Sequence, residues 1–178
     1  MKILITGPEC TGKSTLSAQL HQHTDLPYLP EYAREYMAEV GPDYTSADVM
    51  EIARRHHEKL RAHPEAQPLI LDTYLLNLMI WLRLKFDEHN VWLEERLAES
   101  TIDLVLLMYP DLPWIQDGLR ENEGRAEEIF LIFKKEIEAL GWPYEIIRGI
   151  GEARLQSAKE AVQRLLARKL PFPKGPGE

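Results

Sequence analysis

Eight residues near the start, Gly7-Pro8-Glu9-Cys10-Thr11-Gly12-Lys13-Ser14, follow the spacing G-x-x-x-x-G-K-S. Each fixed position has a chemical reason. The two glycines let the backbone turn its N–H groups inward around phosphate oxygens. Lys13 carries a charge suited to the β- and γ-phosphates of a nucleoside triphosphate, and the Ser14 hydroxyl suits Mg²⁺. The pattern therefore predicts triphosphate binding by Gly7, Glu9, Cys10, Thr11, Gly12, Lys13 and Ser14. Lys2-Ile3-Leu4-Ile5-Thr6 reads as the strand before the loop. Lys13 to His23, with Leu16 and Leu20 four apart, reads as the helix after it. A helix N-terminus adds unpaired amides and a favourable dipole for an anion.

Three further groups can carry chemistry. Glu31, Arg34 and Glu35 have i, i+3, i+4 spacing and share a helical face just after the expected strand Pro27–Leu29. A carboxylate there can accept a proton from a substrate hydroxyl; a solvated ion-pair face is the alternative for this spacing. Asp72 ends the apolar run Leu69-Ile70-Leu71, a strand-end carboxylate of the kind that sits near Mg²⁺ in phosphoryl-transfer proteins. Arg120 and Arg125 lie in a segment from about 111 to 126, with Gly118 and Gly124 supplying hinge freedom. Arginines on such a lid neutralise a transferring phosphoryl group.

The remaining conspicuous residues have plainer readings. His56-His57 beside Arg54 and Arg55 reads as a solvated face. Trp81, Trp92, Trp114 and Trp142 read as core or rim packing, and Cys10 as a small filler. Tyr28, Tyr32, Tyr36 and Tyr44 surround the expected acceptor region, each able to stack on a planar ring.

The elements that must position these groups alternate strand with helix. Helices are expected over Glu31–Val40, Thr45–His63, Thr73–Phe86, Val91–Ser100, Glu123–Leu140 and Glu152–Lys169. Gly41-Pro42 stops the first of these, and Thr45-Ser46-Ala47-Asp48 opens the next with a capping box. Strands are expected at Pro68–Asp72, Ile102–Met108 and Tyr144–Ile147. This order implies a three-layer α/β fold around a parallel sheet of about five strands. Ligands of such sheets gather at the carboxyl ends of the strands, where Glu31 and Asp72 stand.

Composition sets the outer bounds. The 178 residues suit one domain, expected over 1–170, with a flexible Pro/Gly-rich tail at 171–178. A net charge of −8 opposes non-specific nucleic-acid binding. One cysteine excludes an internal disulfide and favours a reducing compartment. No apolar stretch reaches membrane-spanning length, and the first strand leaves no room for a signal peptide, so the cytoplasm is expected.

The phosphate loop, Glu31-Tyr32-Ala33-Arg34-Glu35, Ile70-Leu71-Asp72-Thr73, and Trp114 with Asp117-Gly118-Leu119-Arg120 together resemble the ribosylnicotinamide kinase domain of NadR-type proteins. The resemblance runs from residue 2 to about 165. It implies a P-loop kinase fold, with a lid, related to deoxynucleoside and thymidylate kinases. It also implies that ATP and nicotinamide riboside give ADP and nicotinamide mononucleotide, with Mg²⁺. Carried over, Gly12, Lys13, Ser14 and Thr15 match the phosphate loop, Glu31 and Arg34 the acceptor motif, Asp72 the acid near metal and ribose, and Arg120 the lid arginine. The catalytic residues expected are thus Lys13, Glu31, Asp72 and Arg120, with Arg125 assisting on the nucleotide. Pro30 stands where the family often has an aromatic residue, so the acceptor ring must use another, with Tyr44 or Tyr28 expected. The H-x-G-H motif of the adenylyltransferase part of bifunctional relatives is missing, so the expected product is the mononucleotide. The same chemistry on another nucleoside or nucleoside monophosphate, and a nucleotide-binding sensor without phosphoryl transfer, are the alternatives.

Overall fold

The computed structural model describes residues 1–65, 67–115 and 122–169. Five strands form one sheet: β1 (Lys2–Thr6), β2 (Tyr28–Leu29), β3 (Leu69–Asp72), β4 (Leu104–Met108) and β5 (Tyr144–Ile147). Their order is β2-β3-β1-β4-β5, and every pairing is parallel. Among the described residues seven helices accompany them: α1 (Lys13–Thr24), α2 (Tyr32–Val40), α3 (Ser46–Arg61), α4 (Leu75–Phe86), α5 (Val91–Glu99), α6 (Ala126–Ala139) and, after the last strand, α7 (Glu152–Lys169).

The three layers follow from side-chain alternation along the strands. Ile3 and Ile5 of β1 with Leu104, Leu106 and Met108 of β4 face α1 and α7, meeting Leu16, Leu20, Leu155, Ala158 and Val162. Leu4, Val105 and Leu107 face the opposite side, joining a larger core built with α2 to α6. Parallel strands buried on both faces read as continuous apolar runs, as β4 does. The α4 helix is mostly apolar because it packs against α3, α5 and α6 at once.

Local signals in the chain appear as geometry. The Thr45–Asp48 capping box forms, with Thr45 N donating to Asp48 Oδ2 at 2.8 Å. Gly41 ends α2 at φ 81°. Two helix starts differ from expectation for one reason. Thr73 has φ 66° and Gly124 φ 78°, left-handed values that cannot lie inside a right-handed helix. So α4 begins at Leu75 and α6 at Ala126. His56 also departs from the expected solvated face. It is 2% exposed, stands edge-on to Tyr74, and lies on the apolar stripe of α3 with Val49, Ile52 and Leu60. Among the described residues no helix is long and apolar enough to cross a membrane. The expected tail, 171–178, lies outside the described residues.

Candidate active site

The phosphate loop leaves the central strand β1 and enters α1, where ligands of open α/β sheets collect. Its first glycine is sterically required. A Cβ on Gly7, at φ 136°, would stand 2.8 Å from the Met108 carbonyl oxygen. The loop braces itself from within: Thr11 Oγ1 donates to the Pro8 carbonyl at 2.8 Å. Lys13 Nζ donates to the Pro8 and Gly7 carbonyls at 2.7 and 3.1 Å. Gly12 caps α1 with no side-chain bond, and no acidic residue stands in the first turn. The helix end therefore presents an uncompensated positive field to the loop.

The loop forms one wall of a cavity of about 530 Å³, lined by residues from Gly7 to Thr15. A second wall belongs to α2. Glu31 is the N-cap of that helix, directly after β2, and Arg34 follows one turn later; both line the cavity. Glu35, expected on the same face, instead reaches Lys59 at 3.6 Å and does not line it.

Asp72 closes β3 and is 2% exposed. Burial, and then the Glu31 carboxylate, push its carboxyl up to about 6, against opposing pulls from the Ser14 hydroxyl, Lys13 and Arg34. Four polar groups named from the sequence thus act on a fifth, Asp72. The next residue, Thr73, is β-branched with φ 66°, a strained conformation held by its N–H donating to the Ile5 carbonyl at 3.0 Å. Asp72 Oδ1 is buried with no hydrogen-bond partner among the described residues. An orphaned carboxylate oxygen beside a serine hydroxyl is a donor set that fits a hard divalent cation such as Mg²⁺.

The third wall is α4, which presents Asn77, Trp81 and Lys85 at four-residue intervals. Asn77 Oδ1 accepts from Thr6 Oγ1 at 2.6 Å, fixing the end nearest the loop. Trp81 stands one turn further out, about 6 Å along the axis, and Lys85 another turn beyond. These residues were not read as functional from the sequence. Their i, i+4, i+8 spacing was visible, but α4 is mostly apolar and Arg83 lies off that face, so the sequence hides which face is open.

The tyrosines stand elsewhere. Tyr44 is 8% exposed and sits behind Trp81, accepting its Nε1–H at 2.8 Å with ring centroids 5.1 Å apart. It holds the indole in place; Trp81, not Tyr44, lines the cavity. Tyr28 packs on the other side of the sheet near His21, Tyr32 is buried under Lys59, and Tyr36 donates to Asp48. Arg125 N-caps α6, forms an ion pair with Glu128 at 2.7 Å, and does not line the cavity. Arg120 lies outside the described residues, as does the rest of Asp117-Gly118-Leu119. Cys10 has φ 58°, and its Sγ lies 3.4 Å from both the nitrogen and the oxygen of Ile115.

A glycine-bracketed loop between a central parallel strand and a helix, facing strand-end carboxylates, defines a P-loop protein with the three-layer fold of small-molecule kinases. The family model described as an AAA domain matches residues 2–154, and the chain belongs to that family. The trifunctional NAD biosynthesis/regulator protein NadR of Salmonella typhimurium is 24% identical over 124 residues, covering 66% of this chain and 30% of that protein. A crystal structure of NadR in complex with NR superposes with a TM-score of 0.79 at 21% identity, covering 92% of this chain and 51% of that one. A second NadR structure, with NAD and AMP-PNP, gives 0.77 at 20% identity over 92% of this chain and 49% of that one. Deoxyadenosine kinase from M. mycoides gives 0.67 at 14% identity over 93% of this chain and all of that one, 100%. The resemblance to NadR-type proteins read from the motifs holds, and the structural likenesses establish the fold. The chain spans less than a third of the curated relative's length.

Proposed function

We propose that this chain is an ATP- and Mg²⁺-dependent kinase that phosphorylates the 5′-hydroxyl of nicotinamide riboside, giving nicotinamide mononucleotide. The observation that carries the reading is the convergence of Glu31, Lys13 and Ser14 around one cavity, with the buried Asp72 carboxyl close enough to feel all three. Lys13 and the loop amides hold the triphosphate and stabilise charge as the terminal phosphoryl group leaves. Glu31 accepts the proton of the acceptor hydroxyl as its oxygen bonds to phosphorus and the β–γ bridge bond breaks. Arg34 orients the acceptor, and Arg120 is assigned to the phosphoryl group from the motif resemblance alone. Ser14 and Asp72 hold Mg²⁺, which when bound screens the phosphate charges. The NadR complexes with NR and with AMP-PNP support this choice of ligands. Trp81 supplies the aromatic face that Pro30 does not, and a pyridinium ring favours such a face. Residues 1–170 act as one catalytic unit, in the cytoplasm.

A second reading keeps the chemistry and changes the acceptor. Arg34 and Lys85 both line the cavity, and two cations oppose a cationic ring. The experiment is a panel of nucleosides and mononucleotides with ATP and Mg²⁺, read as ADP release. A higher kcat/KM for nicotinamide riboside than for thymidine, deoxyadenosine or thymidylate supports the first reading. The reverse order supports the second, and ADP release unaffected by every acceptor defeats both.

A further inference from the structure

Arg154 was not singled out by any local spacing. It lies in the first turn of α7, more than a hundred residues after the phosphate loop, and is 5% exposed. Its guanidinium gathers backbone from three separate segments. Nε donates to the Gly149 carbonyl at 2.6 Å in the turn between β5 and α7. Nη2 donates to the Tyr109 carbonyl at 3.0 Å, just past β4. Nη1 donates to the carbonyl of Thr11, inside the phosphate loop. The charge is paired with Asp111, whose Oδ2 accepts from the Gly149 N–H at 2.6 Å.

The Thr11 contact has a directional consequence. A trans peptide points its C=O and the following N–H in opposite directions. Holding the Thr11 carbonyl down onto Arg154 therefore turns the Gly12 N–H away from it, on the loop's other side. The arginine also stands directly under the bend: a Cβ on Gly12 would lie 3.9 Å from Nη1. Gly12 itself is left-handed, at φ 77°, a conformation that glycine enters without preference and that needs an external hold. The Thr11 hydroxyl braces the loop's near end on Pro8, and Arg154 braces its far end on β4 and the β5–α7 turn. Only a planar fork of several donors can serve three carbonyls and a carboxylate at once.

We infer that Arg154 is a positioning residue that presets the Thr11–Gly12 bend of the phosphate loop, and so sets nucleotide affinity without touching the nucleotide. The inference rests on the loop's being a nucleoside-triphosphate site. It makes a selective claim. A residue that merely stabilises the fold would lower the melting temperature and leave the affinity of the folded protein unchanged. A residue that presets the loop changes nucleotide affinity in protein that is fully folded.

The test compares wild type, R154M and R154K. Circular dichroism melts first define a temperature at which all three are folded. AMP-PNP with Mg²⁺ is then titrated by calorimetry, and the acceptor KM is measured with nicotinamide riboside or whichever nucleoside proves to be phosphorylated. For R154M, the AMP-PNP Kd should rise about tenfold or more while acceptor KM stays within about threefold. R154K, able to reach one carbonyl but not three, should fall between the two. Folded R154M that binds AMP-PNP within about twofold of wild type overturns the inference. An equal fall in nucleotide and acceptor affinity overturns it as well, since that signals general loosening. If R154M does not fold, R154K decides: an unchanged Kd refutes, and one raised about threefold or more supports. Wild type that does not bind AMP-PNP refutes the nucleotide site itself, a separate result.

Discussion

Replacing Asp72 with Asn should stabilise the ligand-free protein, and by an amount that grows with pH. The Asp72 carboxyl is held at about 6 against an ordinary 3.8, chiefly because its charge is buried. A shift of that size corresponds to about 3 kcal/mol between the two protonation states. Since the folded value is the raised one, the carboxyl's contribution is fully present below the unfolded value and is lost as pH rises through the folded value. Integrating between those two values, about 2 kcal/mol of the loss develops between about pH 4.5 and pH 7. Asn has no such titration, so the stability gap between D72N and wild type must widen over that interval. With a urea slope of about 2 kcal/mol/M for a chain of this size, the midpoints separate by a further ~1 M. Urea melts at four pH values, without Mg²⁺, measure it. A gap that stays constant with pH would show that Asp72 is not a buried carboxylate of raised pKa, and the argument for a cation beside Ser14 would lose its basis.

His56 should do the opposite. Burial lowers its imidazole from 6.5 to about 4, so its contribution is present above the unfolded value and lost as pH falls toward the folded one. His56→Leu should therefore abolish an acid-side loss of about 2 kcal/mol between pH 7 and 4.5, read by the same urea melts. Glu31→Gln should lower turnover about 10²–10⁴-fold while AMP-PNP affinity holds; collapse of that affinity with turnover intact would make Glu31 a metal or structural group. Lys13→Ala should lower turnover about 10²-fold or more, and a value within threefold of wild type would refute its role. Trp81→Ala should raise acceptor KM about tenfold with little change in kcat, whereas Tyr28→Ala, on the other face of the sheet, should change neither.

Much of this was legible in the chain because it is local. The phosphate loop and its flanking strand and helix are consecutive residues, and the glycine requirement at Gly7 is written in the motif. Glu31 and Asp72 were legible because strand ends are where such sheets bind ligands, and the strands announce themselves by apolar runs. What stayed hidden depends on distance along the chain or on conformation. Arg154 meets Thr11 across 143 residues, and no spacing rule joins them. The left-handed Thr73 shortened α4 at its start, yet a β-branched residue gives no warning of that conformation. Tyr44 and Trp81 are both aromatic and both near the site, and only packing decides which stands in front. His56 could have been read correctly. The flanking arginines drew attention to a wet surface, but Val49, Ile52 and Leu60 mark the stripe it belongs to.

The walls of the cavity have different mechanical origins. The phosphate loop that carries Lys13 and Ser14 leaves β1, and Asp72 behind it closes β3, two strands whose backbones are fastened by ladders on both sides. Arg34, Trp81 and Lys85 project from the helices α2 and α4, where a side chain can be exchanged without altering any strand register. The helical wall can thus vary one residue at a time, while the loop and the carboxylate behind it stay fixed by the sheet.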